Sequence, residues 1–294
     1  MNTKKGTIRW SGKYGYKNDT FERTSGSIDI GSYPSGEPVL NFPTMHDANT
    51  IVEKLLLRPL SMLDFMAGLF FVDALVERGH SPPELILPFV PGARQDRLND
   101  EGDYLFTAKS VAREINARDF KKVTVVDPHS EVISGLIDRC HVVHAHECFS
   151  YTSQTASYLA VVSPDAGAEK RASAVAKKLG LPMVHGWKSR DVATGRITGF
   201  GLETSDIFKT LTPPTVLVVD DICDGGRTFL GLAEVLKERS IKADLYVTHG
   251  LFSQGTEALL QHYGRLFCTD SIEAPSPGVE VIKVCEKLIE GMGQ

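Results

Sequence analysis

A run of apolar residues with no polar alternation, Thr215-Val-Leu-Val-Val219, most constrains how this chain can fold. A strand with one face in water alternates apolar and polar residues. This run offers apolar side chains to both faces, as the strands of a parallel sheet do. Such a sheet needs helices on both sides, so the run commits its surroundings to a layered α/β architecture. Two carboxylates, Asp220 and Asp221, arrive where the strand is expected to end, followed by Asp224, Gly225, Gly226, Arg227 and Thr228. Leu230, Leu232, Val235 and Leu236 then recur at helical spacing. A strand, a glycine turn and a helix N-terminus form an anion site, because free backbone N–H groups and the helix dipole face the loop. Two or three carboxylates there would repel a bare phosphate. They make sense if Asp220 and Asp221 hold sugar hydroxyls or a metal while the turn beyond them holds the phosphate.

A ribose phosphate has that shape. No Gly-Lys-Ser/Thr closes the loop, so it is not a Walker A sequence, and it lacks the Gly-x-Gly-x-x-Gly spacing of a dinucleotide site. It resembles the PRPP-binding motif of the phosphoribosyltransferase fold: an apolar strand, two acids, then a short phosphate turn ending in Thr. The plainer alternative is an ordinary strand-to-helix turn whose acids cap a helix.

At 294 residues the chain can hold two domains. Its 42% hydrophobic and 23% charged residues fit a globular class and not disorder. A net charge of -5 argues against nucleic acid as the partner. Phe65 to Val72, the most apolar run, is bounded by Asp64 and Asp73 and is too short to span a bilayer, so no membrane partner is expected. The first residues lack the apolar core of a secretory signal. Five scattered cysteines without a Cys-x-x-Cys suggest a reducing compartment, so a cytoplasmic location is expected. The cluster Cys140, His141, His144, His146 and Cys148 fits no common zinc spacing.

The same strand-turn-helix unit recurs. Met1 to Ile30 predicts short strands, Ser61 to Arg78 a helix, Glu84 to Val90 a strand, and Thr107 to Ile115 a helix capped by Thr107. Val123 to Val126 and Tyr158 to Val162 predict strands, and Glu169 to Leu179 a helix. Trp187 to Gly195 reads as an exposed loop, Ala243 to Val247 as a strand, and Val279 to Met292 as a strand-like start with a short helix. This is a doubly wound α/β pattern, in which ligands gather at the carboxyl ends of the strands. It falls into two domains, residues 1–150 and 151–294, with the last helix available to pack on the first.

Taken together, the strand-end motifs resemble those of ribose-phosphate pyrophosphokinases (PRPP synthetases). Ala93-Arg-Gln-Asp-Arg97 with Thr107-Ala-Lys109 is similar to that family's ATP segment, and Asp127-Pro-His-Ser130 to its Asp-Leu-His-Ala metal and nucleotide motif. Val161 to Gly167 with Lys170 and Arg171 resembles its ribose-contacting turn. Lys188-Ser-Arg190 resembles the start of its mobile catalytic loop, and Val218 to Ile222 with Asp224 its PRPP loop. The five motifs stand in family order from about Gly31 to the C-terminal helix.

The resemblance implies two phosphoribosyltransferase-like domains, each a mainly parallel sheet flanked by helices, in a homo-oligomer that completes its sites at subunit contacts. It implies transfer of the β,γ-diphosphoryl group of ATP to the anomeric hydroxyl of ribose 5-phosphate, giving PRPP and AMP with Mg²⁺ as cofactor. Lys188 and Arg190 then act in catalysis, where cations offset growing negative charge. Tyr33, Glu37, Arg94, Gln95, Asp96 and His129 contact ATP, and His129 and Asp165 approach the metal, partly through water. Asp165, Asp220, Asp221, Asp224, Gly225, Gly226, Arg227 and Thr228 hold ribose and phosphate. Without that context, Lys188-Ser-Arg190 is a solvated loop and Arg94-Gln95 a turn packed by an Arg–Asp96 pair.

Two departures bear on the substrate. Tyr33-Pro-Ser-Gly-Glu37 carries Ser35 where the family has Asp, on the adenine side. Asp224-Gly-Gly-Arg-Thr228 replaces Asp-Thr-Ala-Gly-Thr, losing a hydroxyl at Gly225 and gaining a guanidinium at Arg227. Arg227 can serve a terminal 5-phosphate. Equally, the open turn and added cation suit a diphosphate, so ADP-ribose, the acceptor of ADP-ribose pyrophosphate synthetases and a link to NAD metabolism, is the alternative. A silent regulatory homologue is disfavoured by retention of Lys188, Arg190, His129 and both loop aspartates. A plain phosphoribosyltransferase would leave Ala93 to Arg97 and Asp127 to Ser130 without a purpose.

Overall fold

The computed structural model describes residues 7–15, 21–35, 37–40, 50–98, 105–149, 158–190, 197–203, 208, 215–272 and 276–290. The chain divides into two compact units. One comprises Met1–Val143, Ser271–Ala274 and Lys283–Gln294; the other comprises His144–Asp270 and Pro275–Ile282.

The first unit opens with a hairpin of two nine-residue strands, β1 (Thr7–Gly15) and β2 (Phe21–Asp29), longer than the polar sequence suggests. A small hairpin, β3 (Gly31–Ser32) with β4 (Pro38–Val39), precedes β5 (Thr50–Arg58) and helix α1 (Met62–Glu77). Ser61 caps α1 in a capping box: its hydroxyl accepts from Asp64 N at 3.1 Å, and Asp64 Oδ2 accepts from Ser61 N at 3.0 Å. Strand β6 (Glu84–Leu87), helix α2 (Thr107–Asn116), β7 (Val123–Val126), α3 (Glu131–Leu136) and β8 (Cys140–Val143) complete the run. Thr107 does not cap α2. It is the first helical residue, Phe106 stands at the cap position, and the Thr107 hydroxyl instead donates to Gln95 Oε1. The sheet order is β2-β1-β5-β6-β7-β8, antiparallel through β5 and parallel from β5 to β8.

The second unit begins with the short helix α4 (Ala145–Cys148), then β9 (Ala160–Ser163), α5 (Glu169–Leu179), β10 (Met183–Arg190) and β11 (Ile197–Leu202). Strand β12 (Thr215–Cys223), α6 (Arg227–Glu238), β13 (Lys242–Gly250), α7 (Glu257–Leu260), β14 (Leu266–Thr269) and β15 (Val279–Ile282) follow. The sheet order is β11-β10-β9-β12-β13-β14-β15, parallel throughout except for the β10–β11 edge pair.

Strand β12 is buried on both faces. Val216 and Val218 pack with Leu232 and Leu236 of α6, while Leu217 and Val219 pack with Val175 of α5 and with Phe149 and Tyr246. Each such fully buried aliphatic side chain contributes about 1.5–3 kcal/mol. Helix α8 (Cys285–Glu290) belongs to the first unit, where Cys285 and Ile289 pack on Leu56 and Ile86. Leu55, Leu57, Leu85 and Leu87, alternate residues of the same strands, serve the core on the opposite face. No helix among the described residues is long and apolar enough to cross a membrane.

Candidate active site

In the second unit the candidate residues stand at the carboxyl ends of β9, β10 and β12. The β12 ladder runs past the acids to Cys223 instead of stopping before them, because Asp220 and Ile222 keep parallel register with Val247 and His249 of β13. The two carboxylates therefore sit on rigid strand rather than on a loop. Asp220 Oδ1 accepts from Asp221 N at 2.8 Å, and Asp221 is buried. Burial pushes the carboxyl of Asp220 well above the usual carboxylate range, the neighbouring Asp221 adds to this, and Arg171 opposes it. Cys223 is also buried, and its thiol is pushed up to about 12, first by burial and then by Asp220 and Asp224. That value leaves it protonated and unreactive.

Beyond Cys223 the chain turns through Asp224 and Gly225 to Gly226, which holds φ 76° and starts α6 with no side chain capping it. That left-handed backbone is available to glycine at little cost and turns the helix N-terminus toward the loop. The segment after β13 braces the turn: Leu251 and Phe252 N–H both donate to Cys223 O at 2.9 Å, and Ser253 N donates to Asp224 O at 3.1 Å. A side chain on Gly225 would first meet Gln254 Cγ at 3.8 Å, so the turn is open on that side. Arg227 is exposed in the first turn of α6, and Thr228 is half-buried next to it.

After β9, Asp165 caps the turn into α5. Its Oδ1 accepts from Gly167 N at 2.9 Å and Ala168 N at 3.3 Å, and its Oδ2 accepts from the Lys188 ammonium. Lys188 is not on a loop. It lies on β10, which runs through Arg190 and pairs antiparallel with β11, Lys188 opposite Phe200. The expected loop is thus an edge hairpin up to Arg190; residues 191–195 of that stretch, and the Arg190 side chain, lie outside the described residues. Two glycines let the neighbouring groups close in. A Cβ on Gly201 would fall 2.2 Å from the Trp187 indole, which lies across it, and one on Gly186 would fall 2.6 Å from Ser163 O.

In the first unit, Tyr33 is exposed in the β3–β4 turn, its N–H donating to Glu37 O at 2.9 Å. Ser35 donates to Glu37 Oε2 at 2.8 Å, so the departing residue orients the acid. Arg94 and Gln95 are exposed in the turn after β6, and His129 is exposed in the turn after β7. Asp96 is placed differently from its neighbours. It is buried, accepts from Arg97 Nε at 3.0 Å, and stands behind the turn rather than on its surface with Arg94 and Gln95. Burial raises its carboxyl, but bonds from Ser130 and Arg97 and the nearby His129 outweigh that and hold it below its ordinary value. Asp96 therefore ties the turn after β6 to the turn after β7. Asp127 enters the latter at φ 39°, strained for a non-glycine residue, with its N–H bonded to Val143 O at 2.7 Å.

Among the described residues no group of three or more His, Cys, Asp or Glu could hold a metal ion. In the cysteine–histidine stretch, Cys140 and His141 lie on β8 while His144 and His146 stack on each other at 5.6 Å.

The comparisons with known proteins bear on what this arrangement does. The phosphoribosyl transferase domain model matches residues 145–276. A ribose-phosphate pyrophosphokinase of Pyrococcus furiosus is 25% identical over 262 residues, 87% of this chain and 90% of the relative. That of Maricaulis maris is 30% identical over 226 residues, covering 74% of this chain and 71% of the relative. The chain belongs to the ribose-phosphate pyrophosphokinase family. A crystal structure of phosphoribosylpyrophosphate synthetase from Mycobacterium smegmatis shares the fold, with TM-score 0.75 at 22% identity over 90% of this chain and 88% of that one.

As a member of that family the protein is an enzyme, an ATP-dependent diphosphotransferase. Its second unit brings together Asp165 and Lys188 at one strand end, and Asp220, Asp221, Asp224 and the glycine turn at another. Residue types and spacing alone do not reveal the contact made by Arg171. From the first turns of α5 its guanidinium lies 3.6 Å from Asp220 Oδ1 and 4.0 Å from Asp221 Oδ2. A cation next to the buried Ala172, Val175 and Ala176 was the available signal, since an arginine beside a buried helix face needs an anionic partner.

Proposed function

We propose that this enzyme moves the β,γ-diphosphoryl group of ATP onto the anomeric hydroxyl of ribose 5-phosphate, giving PRPP and AMP. The observation that carries the reading is the acid pair Asp220–Asp221 held on rigid strand just before an uncapped, glycine-started helix. Carboxylates accept from the sugar hydroxyls, and the free N–H groups of α6, with Thr228, take the 5-phosphate. The anomeric hydroxyl oxygen attacks the β-phosphorus and gives up its proton to solvent, the bond from that phosphorus to the α,β-bridging oxygen breaks, and AMP leaves with the electron pair. Positioning and charge do the catalytic work in such a transfer. Lys188 and Arg190 supply the cations. Tyr33, Glu37, Arg94, Gln95 and His129 face the nucleotide, with Asp96 tying together the turns that carry Arg94, Gln95 and His129.

Mg²⁺ enters with ATP. Asp165 already uses Oδ1 on backbone N–H groups and Oδ2 on Lys188, so it fits a hydrated ion met through water better than direct ligation, and His129 is the other residue offered to the ion. When bound, the ion neutralises charge on the transferring phosphates. In this reading the enzyme works as a homo-oligomer.

One observation favours a second acceptor. The space beside Gly225 and the exposed Arg227 suit a 5-diphosphate, as in ADP-ribose, as well as a monophosphate. The test is incubation with ATP and Mg²⁺ and either acceptor, with nucleotide products separated. AMP must form in step with a diphosphorylated acceptor. Production of ADP would make the protein an ordinary kinase and end this reading.

A further inference from the structure

Asp220 and Asp221 are adjacent in sequence, both nearly removed from solvent, and both of like charge. Their side chains keep only 15% and 6% of their accessible surface. Left alone, two such carboxylates repel each other, and one takes up a proton. A protonated carboxyl becomes a donor at one oxygen and rotates to suit itself, which spoils a pair meant to accept from two neighbouring hydroxyls.

Arg171 stands where it opposes this. Its guanidinium, 10% exposed, reaches both acids from one planar group, Nη1 toward Asp220 and Nη2 toward Asp221. It is carried by α5, whose start is set by the Asp165 cap, and α5 packs on β9 and β12 through Ala172, Val175 and Ala176. The guanidinium is thus held by a helix packed across one face of these two neighbouring strands. Asp220 is held from the other side by the N–H of Asp221.

We propose that Arg171 is a positioning residue: spanning Asp220 and Asp221 from α5, it fixes them as a paired acceptor for the vicinal 2- and 3-hydroxyls of the acceptor sugar. It acts through the two acids. The inference rests on the ribose-phosphate reading of the same site. It adds that recognition of the sugar as ribose, rather than deoxyribose, depends on a residue outside the loop that contacts it. A lysine cannot do the whole of this, because its single ammonium lacks the fork that serves two carboxylates at once.

The experiment measures binding of ribose 5-phosphate and of 2-deoxyribose 5-phosphate by calorimetry to the full chain, as wild type, Arg171→Lys, Arg171→Gln and Arg171→Met. ADP-ribose and its 2-deoxy counterpart form a parallel series, and circular dichroism melting reports the fold. Wild type should prefer the ribo sugar by about tenfold or more, the scale of a hydrogen bond to a charged group. In the Gln and Met variants that preference should shrink to within about twofold, with ATP binding unchanged, and Lys should restore part of it. If Met fails to fold, Gln carries the same reading. Full preference retained in either neutral variant overturns the role of Arg171 while leaving the enzyme's function intact. A wild type that binds neither sugar phosphate overturns the functional reading itself, and this inference with it.

Discussion

Replacing Arg227 by Ala separates the phosphate contact from everything else in the loop. Arg227 is exposed, it lies in the first turn of α6, and that helix is started by the backbone of Gly226 without help from a side chain. Truncation should therefore leave stability within about 0.5 kcal/mol, as for other exposed positions. If the guanidinium meets the acceptor's phosphate, the lost charge-assisted bond is worth about 1.5–3 kcal/mol, or a rise in acceptor KM of roughly 10- to 150-fold. AMP release at saturating ATP, with each acceptor varied in turn, measures it. A larger loss for ADP-ribose than for ribose 5-phosphate would place Arg227 on the second phosphate; the reverse order would place it on a terminal one. The neighbouring glycines sharpen the comparison. Gly225→Thr has room, with Gln254 Cγ 3.8 Å from the new Cβ, and its hydroxyl and methyl should favour the monophosphate. Gly226→Ala should instead cost about 1–2 kcal/mol of stability, because φ 76° is left-handed backbone that alanine resists. Unchanged KM for both acceptors in Arg227→Ala would refute a phosphate role for this side chain.

Two further outcomes are expected. Lys188→Ala and Arg190→Ala should each lower kcat by about 2.7–4 kcal/mol of transition-state stabilisation, by analogy with a lost oxyanion donor, while KM changes little; steady-state kinetics that show normal turnover in both would remove β10 from the chemistry. Asp220→Asn should raise the melting temperature of the ligand-free protein at neutral pH while abolishing acceptor binding. Its folded-state carboxyl titrates above the unfolded one, so the folded state holds the extra proton and stability falls as pH rises from about 3.9 through the raised value. Melting curves across that range should be flatter for Asn than for wild type, and parallel curves would contradict the buried, repelled pair.

Much of this molecule is legible in its sequence because the decisive information is local. The unalternating apolar run of β12 dictates a strand covered on both faces, and Val216 and Val218 against Leu217 and Val219 bear that out. The helix expected over Glu169 to Leu179 forms with those bounds, and the glycine pair marks the turn into α6. What the sequence alone left open depends on partners far along the chain. Asp220 and Asp221 lie on strand because β13 continues alongside them, a register that no local pattern announces. Lys188 lies on strand because β11 pairs with it, Lys188 opposite Phe200. Thr107 bonds Gln95 instead of capping α2, and Asp96 is buried under Ser130 and Arg97 instead of facing out with Arg94. The contact of Arg171 with the acid pair joins a helix to a strand about fifty residues away. Residue type and spacing determine where charges and turns fall along the chain. Only tertiary packing decides which charges are desolvated together, because desolvation depends on what the rest of the chain lays over them.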